Sequence, residues 1–102
     1  MPIAFIQEFR IEGDERDTTN YDTISARTNV REEPPEGGIF HTAGFDEDAG
    51  VFRIFDVWET RAHGERFIRD RLRPILDELM AGHDDAVPPV RESWYELHAL
   101  MR

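Results

Sequence analysis

An eight-residue run, VFRIFDVW from Val51 to Trp58, is apolar on both of its faces. Side chains alternate along a strand, so Phe52, Ile54 and Trp58 point one way and Val51, Phe55 and Val57 the other. A strand of this kind has to be covered on two sides. The chain has 102 residues, enough for one compact domain, residues 1–102, and too few for two. Helices from the same chain can cover one side. The second cover is expected from another copy of the protein, which would also enlarge a modest core.

Composition removes several function classes. There is no cysteine, so disulfides, thiolate nucleophiles and Cys-based metal sites are excluded, and a reducing, cytoplasmic setting is expected. The formal net charge is −10, and all twelve basic residues are arginine. Such acidity argues against binding nucleic acid, which needs a basic footprint. Five arginines cluster between Arg61 and Arg73, but Glu65, Asp70, Asp77 and Glu78 nearly balance them. That segment reads as a solvated helix face with pairs such as Glu65–Arg69 and Arg73–Asp77. The opening MPIAFIQEF lacks the flank and core of a signal peptide. No run approaches the ~20 apolar residues of a membrane span, so no membrane partner is expected.

Residues 2–12 alternate as a strand, followed by a charged turn over Gly13–Asp17. Thr18 or Thr19 can cap a helix reaching about Val30, with Tyr21, Ile24 and Thr28 on its inward stripe. The segment EEPPEGG, Glu32 to Gly38, breaks the chain. Ile39–Phe45 and Val51–Glu59 form a hairpin across DEDAG. Thr60 caps a long helix from Arg61 to about Ala81, stopped by Gly82, whose stripe is Phe67, Ile68, Leu72, Ile75, Leu76 and Leu79. Pro74 should kink or split it. His83–Pro89 is a loop, and Arg91–Met101 the last strand. The order β-α-β-β-α-β predicts a ferredoxin-like α+β sandwich with an antiparallel sheet in the order 4-1-3-2. Both helices should lie on one face, leaving Phe52, Ile54 and Trp58 on the open one.

The segments G-I-F-H-x-A-G and F-R-I-F-D-V-W-E-T-R, with the amphipathic helix behind them, resemble the dimeric α+β barrel superfamily. Within it the chain is most similar to small antibiotic-biosynthesis-monooxygenase-like proteins. The likeness spans nearly the whole chain, from Tyr21-Asp22 to Tyr95-Glu-Leu-His98. It implies a homodimer closing two sheets face to face, with small ligands held in the barrel or between sheet and helices. The superfamily includes cofactor-independent monooxygenases, haem-degrading enzymes and muconolactone isomerases. Haem-degrading members use a strand-1 Asn, a strand-3 Trp and a helical His. Trp58 fits the second, but Gln7 stands at the first position, and the helical position holds Phe67, Ile68 or Arg69. No haem, flavin or metal is therefore expected.

One polar residue, His41 on the first hairpin strand and Asp56 on the second, stands on each of two otherwise apolar strand faces. If Phe45 pairs with Phe52, His41 lies opposite Asp56 on the face of Trp58, and a one-residue slip would undo this. A carboxylate bonded to an imidazole fixes its tautomer and raises its basicity, which suits a general base. The same pair could simply satisfy itself and set the register. Trp58 is a plug or a stacking wall for an aromatic ligand, with Ile54 and Phe40 as further walls. His98 could share the face of Trp94 and Glu96. A metal site joining His41, Asp56 and His98 is unfavourable, because strand 1 separates strands 3 and 4 by about 9.5 Å, whereas metal ligands converge within ~2 Å of one point. His63 and His83 are expected at the surface, and Tyr21 and Tyr95 in the core or an interface. Three functions stay open: a cofactor-free monooxygenase acting on a small aromatic or polyketide-like molecule, a small-molecule-binding dimer, and a dimer whose lumen is filled.

Overall fold

A computed structural model describes residues 1–11, 18–79 and 88–101. The Gly13–Asp17 turn, the Gly82 stop and His83 fall outside the described residues. Four strands, β1 (Ile3–Arg10), β2 (Gly38–Asp46), β3 (Val51–Trp58) and β4 (Arg91–Glu96), form one antiparallel sheet in the order β2-β3-β1-β4. The strand order expected from the split βαβ pattern is the one observed. Three helical segments join them: α1 (Thr19–Thr28), α2 (Arg61–Phe67) and α3 (Arg73–Leu79).

The long second helix starts where expected. Thr60 accepts a hydrogen bond from the His63 backbone N–H at 3.2 Å, satisfying one of the donors that a helix start leaves free. The helix is split just before Pro74, as expected, though without leaving the helical path. A π-helical turn, Ile68–Leu72, separates α2 from α3, and the Arg73 N–H reaches back to the Ile68 carbonyl. Proline lacks the N–H an α-helix needs and crowds the carbonyl four residues earlier, and the wider turn just before it relieves that conflict. The predicted stripe Phe67, Ile68, Leu72, Ile75, Leu76 and Leu79 is half-buried along its length.

At α1 the hydroxyl of Thr18 donates to the Asp22 carboxylate at 2.8 Å and does not cap the backbone. The far end of α1 is anchored more firmly. Asn29 closes it in the left-handed conformation (φ 55°), Arg71 bonds the carbonyl of Thr28, and Arg27 pairs with Glu78 of α3 at 2.6 Å. Two arginines of the second helix pair with acids of the same helix, though not in the pairs anticipated. Arg61 pairs with Glu65 at 3.1 Å and Arg69 with Asp70 at 2.7 Å.

The helices lie on the face opposite to the one expected. Trp58 packs on Phe67 of α2, ring centroids 5.3 Å apart, and Tyr21 of α1 meets Phe52 edge-on at 5.4 Å. Phe52, Ile54, Asp56 and Trp58 therefore sit beneath the helices. With them are their strand partners Phe9, Gln7, Phe5 and Ile3. Gly64 makes this approach possible: a Cβ there would fall 2.8 Å from Trp94 and 3.0 Å from Trp58. A glycine inside a helix costs about 1 kcal/mol relative to alanine, offset here by the burial of two indoles. Val51, Arg53, Phe55 and Val57 form the open face with Ala4, Ile6 and Glu8. Alternation along the strand is legible in the sequence, but which side receives the helices depends on the loops and on Gly64.

The last strand ends at Glu96 and not at Met101. It pairs only with β1, whose ladder begins at Ile3, and the Leu97 N–H makes a final bond to the Pro2 carbonyl at 2.9 Å. Beyond that point there is no partner strand to pair with.

Candidate functional site

The hairpin sets the site. Phe45 pairs with Phe52 and, four residues along, His41 faces Asp56. Both strands hold this register to Phe40 and Val57, after which Ile39 is an extra residue, a β-bulge, before Gly38 meets Trp58. The His41 Nδ1 hydrogen-bonds the Asp56 carboxylate. The same imidazole uses its other nitrogen as well: Tyr21 Oη lies 2.5 Å from Nε2, with the two rings close to parallel at 7°. A carboxylate on Nδ1 favours the tautomer with the proton on that nitrogen, so Nε2 accepts and the Tyr21 hydroxyl donates. Asp56, His41 and Tyr21 thus form one hydrogen-bonded chain from the sheet to the first turns of α1.

The electrostatics follow from this arrangement. Asp56 raises the His41 pKa above its ordinary value of 6.5, chiefly through the hydrogen bond, and partial burial opposes the rise. Burial and the nearby Asp56 charge both push the Tyr21 phenol upward, so Tyr21 stays protonated near neutral pH. The His41 side chain is 43% exposed and Asp56 only 18%. The imidazole is therefore reachable, while the carboxylate behind it is largely shielded.

Trp58 is 4% exposed, and its indole Nε1 is a buried donor with no partner. A buried polar group without a partner costs free energy, and among the described residues none bonds this one. Ile54 shares that face and is half-buried. Phe40 does not belong to it. It pairs with Val57 and tilts against Phe55 on the open face, where it is 40% exposed. The bulge at Ile39 is downstream of nothing that could reverse it, since the register runs from the hairpin. His98 is two residues past the end of β4 and exposed, with β1 between its strand and β3. It is not brought to His41. Among the described residues no group of three His, Asp or Glu side chains has metal-binding spacing.

Two residues acquire roles the sequence did not assign. Tyr21 stood on the inward stripe of its helix, but nothing in the periodicity tells how far that helix reaches across the sheet. His63, expected at the surface, is half-buried. Its Nδ1 lies 2.7 Å from the Thr60 hydroxyl, and its ring covers Gly37, whose φ of +79° and lack of Cβ leave room for it. A shallow depression of about 270 Å³ lies elsewhere, on the open face, lined in part by Thr42, Gly44, Arg53 and Phe55.

No family model matches the sequence, and no curated protein does. The fold, by contrast, has solved counterparts. SnoaB from Streptomyces nogalater, a cofactor-independent oxygenase, superposes with a TM-score of 0.63 at 16% identity, covering 98% of this chain and 96% of that one. A putative antibiotic biosynthesis monooxygenase from Chloroflexus aurantiacus gives 0.65 at 12% identity, covering 100% and 98%. Another from Bordetella bronchiseptica gives 0.63 at 14%, covering 94% and 96%. The chain has their fold. It is α+β and ferredoxin-like, as the resemblance implied, and the similarity runs end to end in both directions. Among the described residues no helix is long and apolar enough to cross a membrane.

Proposed function

We infer that this protein is a cofactor-independent oxygenase of small aromatic or polyketide-like molecules, working as a homodimer. The observation that carries the reading is the imidazole of His41, reachable from outside and held by a shielded carboxylate beside Trp58. The substrate class follows from what such a base can do. A phenol-stabilised CH2 group, as in an anthrone, loses a proton that comes to rest on His41, and the resulting carbanion passes electrons to dioxygen. The adduct takes the proton back as a hydroperoxide, C–OOH, which loses water to leave C=O. No cofactor is needed because the substrate anion is the reductant. Ile54 and Trp58 would offer apolar wall on the face that carries His41. The likeness in fold to SnoaB supports the reaction class by analogy.

Dimerisation is supported by the open face. Phe40 and Tyr95 are large hydrophobic side chains left 40% and 42% exposed on that face, and a second copy covering them would be stabilised.

The decisive measurement is oxygen uptake with an anthrone or quinol. Replacing His41 by Ala is expected to lower turnover by about 100-fold or more without changing the sedimentation of the dimer. A variant with parental turnover, or an unmodified protein that consumes no oxygen on such substrates, would overturn the reading. A pair that only braces the sheet predicts instead that no substrate is found, and that loss of His41 shows in the melting temperature alone.

A further inference from the structure

Both ring nitrogens of His41 are occupied: Nδ1 by Asp56 and Nε2 by the Tyr21 hydroxyl. A substrate therefore has no direct access to the basic nitrogen while α1 is docked. We propose that Tyr21 is itself a catalytic residue, the outer end of a proton chain, and that the substrate hydrogen-bonds to its hydroxyl oxygen and not to His41. This inference rests on the oxygenase reading and adds to it the group that meets the substrate.

The step balances. As the acidic C–H or O–H of the substrate gives its proton to Tyr21 Oη, the Tyr21 O–H proton moves to His41 Nε2. Tyr21 ends as a neutral phenol, His41 as imidazolium, and Asp56 remains the counter-charge. Dioxygen then accepts the electrons of the substrate anion, and the proton returns along the same chain to the peroxide. Tyrosine suits this position because its hydroxyl donates and accepts at once. Its ring is steadied by Phe52, edge-on at 5.4 Å, and by the near-parallel His41 ring. The phenol is too weak an acid to remain as phenolate beside Asp56, so it conducts a proton without retaining charge. The charged and titratable groups bearing on this chain are Asp56 from β3 and, through Tyr21, Asp22 and Arg31; the Ser25 side chain also hydrogen-bonds Tyr21, and the substrate takes its place on that hydroxyl.

The test is Tyr21→Phe, which keeps the ring and its packing. Two quantities are read: oxygen uptake with an anthrone, and the titration of His41 by NMR. Turnover is expected to fall roughly 10- to 100-fold with little change in KM. The His41 pKa is expected to rise, because the lost hydrogen bond served only neutral imidazole. Parental turnover in Tyr21→Phe, with His41→Ala inactive, overturns the relay and leaves the oxygenase reading intact. A fall in turnover with an unmoved His41 pKa also overturns it, since Tyr21 would then act by another route. No oxygen uptake by the unmodified protein removes both. Should Tyr21→Phe fold poorly, 3-fluorotyrosine incorporated into a Tyr95→Phe background leaves position 21 as the sole tyrosine. An unchanged pH–rate profile on fluorination would then overturn the proposal.

Discussion

Each face of the sheet holds one shielded carboxylate, and the two are partnered differently. On the open face Glu8, 6% exposed, is gripped by Arg53 at 2.5 and 2.8 Å and by Arg91 at 3.2 Å, and Arg53 also reaches Asp46 at 2.8 Å. On the helix face Asp56 meets the imidazole of His41. Arginine keeps its proton throughout the physiological range, so the Glu8 cluster is fixed in charge and serves to tie together all four strands. Histidine titrates near neutrality, so the Asp56 pair can take up and release a proton. The bare count of buried acids does not separate architecture from chemistry. The pKa of the partner does.

The largest effect that would test this contrast is expected at Trp58, the large ring of the helix face. Trp58→Ala should destabilise the fold by about 3–5 kcal/mol, read from urea unfolding, because Phe67 and Gly64 lose the surface they pack on. An effect below ~1 kcal/mol would mean that the helices are held elsewhere. Next comes the open face. Phe40→Asp should raise the dimer dissociation constant by at least about 100-fold while leaving the monomer folded, since the side chain is 40% exposed. Sedimentation equilibrium unchanged by this charge would remove the open face as the dimer interface.

The smallest effect is in pH, and it has opposite sign on the two faces. Glu8 and Asp46 are lowered in the fold, mainly by hydrogen bonds from Arg53. Their contribution is complete above the ordinary values of 4.5 and 3.8 and is lost as the pH falls through the lowered ones. His41 is raised, so its contribution is complete below 6.5 and is lost as the pH rises through the folded value. Melting temperature should fall on both sides of a plateau lying between these ranges. Glu8→Gln should weaken the acid limb alone, and His41→Ala the alkaline limb alone. A limb that survives the matching substitution contradicts the assignment for that face.

Much of this contrast was legible in the sequence. Alternation in Val51–Trp58 and the short acidic turn placed His41 opposite Asp56, because strand register propagates residue by residue from a hairpin. The capped start at Thr60 was legible because it depends on near neighbours along the chain, and the strand order because the element order and the handedness of crossovers leave few alternatives. The side taken by the helices was not, since it is decided by packing between elements far apart in sequence, with Gly64 permitting the close approach to Trp58 and Trp94. The same limit hid the bond between Tyr21 and His41, twenty residues apart. Phe40, by contrast, was misassigned against alternation itself, which sends the neighbour of His41 to the other face. The end of β4 depended on where its partner β1 begins, which no pattern within residues 91–101 reveals.

The bulge at Ile39 has a consequence for how such a chain can vary. Register at His41 is counted from the Glu47–Gly50 end of the hairpin, and the spare residue lies on the other side, between His41 and the proline-containing loop. Length changes in that loop can be taken up by widening or closing the bulge, and the imidazole keeps its direction. A single residue added at the tight end would turn every side chain of β2 over and carry His41 to the opposite surface. The two ends of one strand thus differ in what they tolerate: one is open to insertion and deletion, and the other is fixed in length by the orientation of a single side chain.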